Sequence, residues 1–286
     1  MRRRVFLAFL AFALALAFAC KTRPPARDAG VPARVVSLSP STTEAVAALG
    51  ALPSLVGRSR YCDWPPEVTK LPEVGGYVDP NLEAIVALRP DLVVGARGPA
   101  GRRIDDVLRA RGVATYFPPT ESVADIFAMI RGLGARLGRE PAAARVVAAI
   151  ESKLAAIASA TRALARPRVL LLFGVEPVVA AGPESFGDEL VARAGGANVV
   201  TSGGSYPTLD IEAVAGLDPD VVVDAAVAEE HGAQRIDAKG PWSRVRAVRE
   251  GHVVALTDEA ALRPGPRVAD GVAVLARAVH PGLVIR

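Results

Sequence analysis

A stretch without glycine, from Arg139 to Phe173, constrains the fold of this chain more than any other feature. Within it, apolar or small side chains recur at spacings of three and four: Val147, Ile150, Leu154, Ile157, Thr161 and Leu164. That period predicts one helix with one buried stripe. Pro141 suits a first helical turn and Pro167 ends the pattern. We therefore expect a single rod over residues 141–165, about 37 Å long.

Similar sequences lie on both sides of this rod. Residues 78–94 and residues 206–223 each contain a Glu-Ala pair, then a Pro-Asp pair, then a run of apolar residues. An internal repeat around one helix predicts two lobes of similar build that are joined by that helix.

Short apolar runs alternate with helical patterns along both halves of the chain, for example the strand-like residues 91–95 before the helix-like residues 104–111. This alternation is typical of parallel sheets covered by helices. We predict an α/β protein with two Rossmann-like lobes, each with a parallel sheet. The expected boundaries are a first lobe at 34–138, the interdomain helix at 139–166 and a second lobe at 167–286.

The N-terminal segment has the composition of an export signal. Three arginines precede an apolar run from Val5 to Phe18, which is too short to span a bilayer, so residues 1–19 are interpreted as a signal peptide. Ala19-Cys20 resembles the lipobox of bacterial lipoproteins, which implies acylation of Cys20; the alternative is ordinary cleavage nearby. Residues 20–33 then form the lipidated cysteine and a flexible tether. Cys62 would have no disulfide partner, and a small buried side chain is favoured for it over a reactive thiol.

The charge outside that segment does not favour nucleic acid. The chain has 34 Lys+Arg and 30 Asp+Glu, but three of the arginines lie in residues 1–19, which hold no acid, so the remainder carries 31 against 30. Phosphate-binding glycine loops and a Gly-x-Ser-x-Gly motif are absent from the sequence, and its three histidines are widely spaced. No cofactor, metal site or enzymatic activity is expected.

Several loops rich in proline and glycine each carry an aromatic residue, which favours a pocket for a flat organic ligand over simple plugging of the core ends. The residues are Tyr61, Trp64, Tyr77, Phe173 and Tyr206.

Three segments of the first half resemble the periplasmic cobalamin-binding proteins of ABC importers: 34–44, Tyr61-Cys-Asp-Trp-Pro-Pro66, and 81–91 with its Asn-Leu-Glu and Arg-Pro-Asp. These belong to the helical-backbone class of solute-binding proteins, which also holds haem and siderophore binders. The resemblance extends from about Arg34 to the C-terminus and implies two α/β lobes joined by one long helix.

The resemblance also implies functional residues. It assigns ligand contacts to Tyr61, Tyr77, Phe173, Tyr206, Asp258 and Arg263. It assigns docking on the permease to Glu83 and Glu212, the matched acids of the repeat, which from the residues alone would be helix-capping groups. The chain departs from the family at Ala96, where the best-known member has a pocket Trp, and at Ala194 and Ala276, which stand where that member has a disulfide.

We therefore predict a monomeric, non-enzymatic lipoprotein that captures a corrinoid, in first place cobalamin, in the periplasm. Its expected partners are an ABC permease dimer with its ATPase subunits, and the membrane through the lipid anchor. The alternative within the class is a haem or ferric-siderophore binder. From another class, a Rossmann-like lipoprotein enzyme is the remaining alternative.

Overall fold

The computed structural model describes residues 30–97, 101–226, 236, 238–257 and 262–285, and Pro32–Arg286 form one compact unit. The predicted signal peptide and Cys20 lie outside the described residues. Within the described part, no helix combines the length and the apolar character needed to cross a membrane.

The first sheet has four parallel strands in the order β2-β1-β3-β4, which confirms the predicted strand type. Its strands are β1 (Val35–Ser37), β2 (Leu55–Arg58), β3 (Leu92–Val94) and β4 (Ala114–Tyr116). Helices α1 (Pro40–Ala48), α2 (Leu82–Ala87) and α3 (Gly101–Ala110) alternate with them. The strands are short and mostly buried, because helices and loops cover the sheet on both faces.

The second sheet is mixed, whereas the sequence predicts a parallel one. Its strands are β5 (Arg168–Val175), β6 (Val178–Ala180), β7 (Ala197–Asn198), β8 (Thr208–Leu209), β9 (Val221–Asp224) and β10 (Val253–Ala255). Strand β6 folds back antiparallel on β5, and β8 extends it antiparallel, while β7, β9 and β10 are parallel. The reason is the tight turn after β5, since a turn of so few residues can only join antiparallel strands.

The α-helices that follow β4 in the described residues are α4 (Val123–Leu137), α5 (Glu140–Thr161), α6 (Phe186–Arg193), α7 (Ile211–Leu217), α8 (Arg246–Arg249) and α9 (Val268–Val279). Helix α5 is the predicted rod, but it ends one turn earlier than expected. Thr161 is its last buried position, and Leu164 is 41% exposed. A further turn would gain no core contacts, and Pro167 disfavours helical backbone before it.

One continuous apolar core joins the two sheets. Helix α5 packs against α4 and α9, and α6 packs against α9. Fully buried side chains of α4, including Ile130 and Leu133, belong to the same cluster as Val35 of the first sheet and Leu171 of the second. The division at 139–166 into two lobes stays a prediction, since the helices between the sheets are part of one packed body.

We expect ligand to change the shape of the protein little. A continuous helix within a packed core has no adjustable strands to serve as a hinge. Small-angle scattering should therefore give radii of gyration for the free and loaded protein that differ by less than about 1 Å. A fall of several Å on loading would contradict this expectation.

Candidate functional site

Tyr61 lies on an anchored loop after β2, with 50% of its surface exposed. The loop is organised by Arg58, which is 7% exposed. The guanidinium donates hydrogen bonds to the carbonyls of Ser59 (3.0 Å) and Thr69 (3.2 Å) and to the Glu73 carboxylate (2.9 Å). Because a guanidinium has a rigid fork of donors, one side chain joins several parts of the loop. The backbone under Tyr61 is held while its ring stays accessible.

Tyr77 lies beside Tyr61 on the next loop. A β-carbon at Gly76 would be 3.1 Å from a ring carbon of Tyr61, which is a tight contact, so the loop that carries Tyr77 packs closely against the Tyr61 ring. The Tyr77 hydroxyl donates to the carbonyl of Arg97 at 3.0 Å. Burial, and then the negative charge of Glu121, raise the pKa of Tyr77. The loops of the first sheet therefore contribute two tyrosines, Tyr61 and Tyr77, with the backbone before Tyr77 close to the Tyr61 ring.

Phe173 lies within strand β5 and not in a loop as predicted, because the strand continues through Gly174 to Val175. Its ring forms a second aromatic pair with Tyr206, which lies in the loop before β8. Their ring centroids are 5.5 Å apart at an interplanar angle of 77°, an edge-to-face contact worth about 0.5–1.5 kcal/mol beyond area burial. Tyr206 is nevertheless 54% exposed. Burial of the remainder, and then the charge of Glu121, raise the pKa of Tyr206. We call Tyr61, Tyr77, Phe173 and Tyr206 the aromatic site.

Glu121 lies near a tyrosine of each aromatic pair. The sequence analysis did not identify it as a site residue. Its charge raises the pKa of both Tyr77 and Tyr206, which come from different sheets. It precedes the first turn of α4, where the Val123 N–H donates to the Glu189 carboxylate of α6 at 2.8 Å. In the sequence, Glu121 is only an acid before a helix, and nothing local indicates what it faces.

Arg263 lies in a cluster of charged groups that joins residues far apart in the chain. Its guanidinium donates to Asp63 at 2.7 Å and to Glu44 at 3.3 Å. Arg267 donates to both oxygens of Glu44, at 2.6 and 2.9 Å, and its guanidinium carbon lies 4.8 Å from the ring centroid of Trp64. These five residues, Glu44, Asp63, Trp64, Arg263 and Arg267, are called the Glu44 cluster below.

Within the Glu44 cluster, the charged forms of Asp63 and Arg263 are stabilised by their partners. The hydrogen bond from Arg263 holds the pKa of Asp63 below its ordinary value. Burial would lower the pKa of Arg263, but the hydrogen bonds and charges of Asp63 and Glu44 outweigh it and raise that pKa. Beside the cluster lies a cavity of about 240 Å³, lined in part by Trp64, Pro266 and Arg267. The predicted polar ligand contact at Arg263 thus has protein partners on the first-sheet side.

Three further residues singled out from the sequence are the predicted ligand contact Asp258, the family departure Ala96 and the unpaired Cys62. Asp258 lies outside the described residues, as Cys20 does. Ala96 donates its backbone N–H to the Ser39 hydroxyl at 2.9 Å and offers no ring to a ligand. Cys62 is 1% exposed and accepts a hydrogen bond from Thr43, and burial raises the pKa of its thiol, as expected for a packed side chain.

Glu83 and Glu212 both lie exposed in the first turn of a short helix, as the internal repeat predicts. Neither is the cap. Asn81 and Asp210 occupy the N-cap positions and accept from the backbone N–H groups three residues later, at 3.0 and 2.7 Å. Glu212 forms an ion pair with Arg244. Glu83 has no such ion pair within the described residues.

Side chains that could ligate a metal do not form a metal centre in the part of the chain that the structure describes. No group of three or more His, Cys, Asp or Glu side chains there is close enough to hold an ion. The candidate site instead consists of the aromatic site, the carboxylate of Glu121 and the ion pairs of the Glu44 cluster. Such a set can hold a large amphipathic molecule by stacking and hydrogen bonds.

Comparison with known proteins shows that the sequence and the fold of this chain are similar to those of periplasmic binding proteins. The profile of the family described as "Periplasmic binding protein" matches residues 35–260. The chain is 32% identical over 275 residues to a "Cobalamin-binding protein" of Halobacterium salinarum, covering 91% of this chain and 74% of that protein.

Two solved structures share the fold over nearly their whole length. The apo periplasmic haem-binding protein RhuT from Roseiflexus sp. RS-1 has a TM-score of 0.76 and 30% identity, over 86% of this chain and 97% of its own. The periplasmic vitamin B12-binding protein BtuF of Vibrio cholerae has a TM-score of 0.75 and 25% identity, over 87% of this chain and 97% of its own.

Proposed function

The chain belongs to the periplasmic binding protein family, and from that premise we propose that it is the solute-binding component of an ABC importer with a corrinoid, most specifically cobalamin, as its ligand. The relative from Halobacterium salinarum and the fold of BtuF support this ligand class. The protein binds and releases its ligand without chemical change.

The aromatic site is the observation that carries the proposal. It offers one pair of rings from each sheet, with Tyr61 and Tyr206 about half exposed although both stand on well-anchored backbone. Exposed aromatic rings on fixed loops lose little conformational entropy on binding, and they suit a large ligand with apolar faces. A corrin macrocycle has such faces and a periphery of amides.

The carboxylate of Glu121 favours a ligand with amide groups at its periphery over a ligand with acidic groups there. A carboxylate accepts hydrogen bonds from amide N–H groups, whereas it repels the propionates of haem. The raised pKa values of Tyr77 and Tyr206 also disfavour the phenolate form that ligates ferric iron. Both effects support a corrinoid over haem.

Haem or a ferric siderophore is the second candidate. The likeness to RhuT supports it, at 30% identity. In that case an exposed tyrosine of the aromatic site, such as Tyr61 or Tyr206, would ligate the iron.

The remaining parts of the proposal concern partners and location. An ABC permease dimer with its ATPase subunits receives the ligand, and Glu83 and Glu212 dock on it. The protein acts as a monomer, is exported, and is held at the membrane through acylated Cys20. It has no nucleic-acid partner.

Titration with both ligand classes tests the proposal. We expect purified protein to bind cyanocobalamin with one-to-one stoichiometry in calorimetry, and to leave the Soret band of added haemin unchanged. A Soret shift with saturation at one or two haems, together with no heat from cyanocobalamin, would replace the corrinoid with the second candidate.

A further inference from the structure

Glu44 is a buried carboxylate that forms ion pairs with two arginines from a distant part of the chain. Its side chain is 3% exposed, and it lies on α1, which follows the first strand of the first sheet. Its ion-pair partners are Arg263 and Arg267, more than two hundred residues later, on the segment between β10 and α9 of the second-sheet side. Glu44 thus joins the two halves of the protein by charge as well as by packing.

The geometry of this contact is restrictive. Arg267 donates from Nε and Nη2 to the two oxygens of Glu44, which is a bidentate pair with a fixed orientation. The same guanidinium faces the Trp64 ring, so its plane is held on two sides. A buried carboxylate is costly unless its partners stay in place. The residue 263–267 segment therefore has one preferred position relative to α1.

Arg263 differs from Arg267 in the exposure of its partners. It donates to Glu44, which is buried, and to Asp63, whose side chain is 57% exposed. A water-exposed acceptor exchanges readily for another acceptor, whereas a buried one does not. In the free protein Asp63 binds Arg263 through two hydrogen bonds, Nη1 to Oδ1 at 2.7 Å and Nη2 to Oδ2 at 3.3 Å, while Nη1 also contacts Glu44 at 3.3 Å. An amide oxygen of a ligand would replace the longer Asp63 contact at Nη2 and leave the contact between Nη1 and Glu44 in place.

We propose that Glu44 is a positioning residue, which couples the two sheets at the ligand site and holds Arg263 ready for an amide acceptor on the ligand. The half of the proposal that concerns the ligand rests on the proposed corrinoid function. The coupling of the two sheets does not, because it is a property of the free protein.

Hydrogen exchange of the ligand-free protein tests the coupling. Glu44→Gln keeps the shape of the side chain but removes the charge, so amide exchange should become faster in residues 262–270, on the opposite side of the contact. Arg267→Gln should reciprocally speed exchange in residues 40–48. Glu250→Gln is the matched control, since its partner Arg246 is also held by Asp218 and Asp220. The control should exchange as wild type does in both segments.

Calorimetry with cyanocobalamin tests the positioning of Arg263. Glu44→Gln should weaken binding about tenfold, as should Arg267→Gln, and the double variant should be no weaker than either alone. Glu250→Gln should bind as wild type does. If Glu44→Gln does not fold, Arg267→Gln, whose side chain is 27% exposed, provides the same measurement from the other partner.

The outcomes separate the two ideas. Unchanged exchange across the contact, or losses of affinity that add in the double variant, would overturn the role of Glu44. A wild-type protein that does not bind cyanocobalamin would overturn the corrinoid function instead, and the exchange measurement would still decide the coupling.

Discussion

Replacing Glu83 and Glu212 together with arginine should abolish uptake by the partner importer and leave corrinoid affinity within about twofold of wild type. Both carboxylates are exposed at the start of matched helices, and neither caps its helix, because Asn81 and Asp210 do so. Exposed charges of this kind set encounter rate and register with a partner more than they affect a separate pocket. Transport reconstituted with permease and ATPase subunits gives the measurement.

The single variants refine this prediction. Glu212 already forms an exposed ion pair with Arg244, and this pair must break before Glu212 can pair with an arginine of the permease. Breaking an exposed ion pair costs little free energy. Arg244→Ala should therefore leave uptake intact. Glu140→Arg is the matched control, because Glu140 is also an exposed acid in a first helical turn but lies on α5. Normal uptake by the double variant would return both acids to a role in helix electrostatics, and lost corrinoid binding would place them in the pocket.

Tyr77→Ala and Tyr206→Ala should each weaken corrinoid binding by roughly 1–3 kcal/mol, or about five- to 150-fold. The two rings come from different halves of the chain, and the charge of Glu121 raises the pKa of both, so both lie near one carboxylate. Removing one ring takes away stacking area and leaves its partner ring without an opposing surface. Calorimetric titration with cyanocobalamin measures the loss for each variant.

Conservative variants separate the ring from the hydroxyl. Tyr77→Phe removes the hydrogen bond to the Arg97 carbonyl and keeps the ring, so its affinity should remain within a few-fold of wild type. Tyr206→Phe should likewise retain binding, since its edge-to-face contact with Phe173 needs no hydroxyl. If both alanine variants bound cyanocobalamin as wild type does, the two tyrosines would only pack within their loops, and the ligand would bind elsewhere.

Local features of the sequence predicted the elements well. The sequence predicts a helix that Ser122 opens and Gly138 ends, and the structure confirms both for α4. Ser122 caps the helix, and Gly138 follows it with a φ of 61°, a left-handed conformation that favours glycine. Helix α9 runs from Val268 to Val279, as the periodicity predicts. The sequence also placed Tyr61, Trp64, Tyr77 and Tyr206 in loops correctly, because prolines and glycines surround them. Phe173 instead lies in β5 and packs against the core.

The antiparallel strands β6 and β8 were missed for a reason of length. Three residues and two residues are too short to show a period, and their pairing with β5 depends on the turn between them. The early end of α5 has the same origin, because the exposure of Leu164 depends on which surfaces reach the end of the helix.

The sequence by itself determined the alternation of strands and helices, the rod between two halves, and the family, because these depend on periodicity, caps and motifs within short stretches. Only the tertiary structure decided the partners of charges. Arg263 and Arg267 meet Glu44 across more than two hundred residues, and Glu121 acts on tyrosines from both sheets. Charge pairing depends on distance in space and on burial, and neither is written in any local pattern of residues.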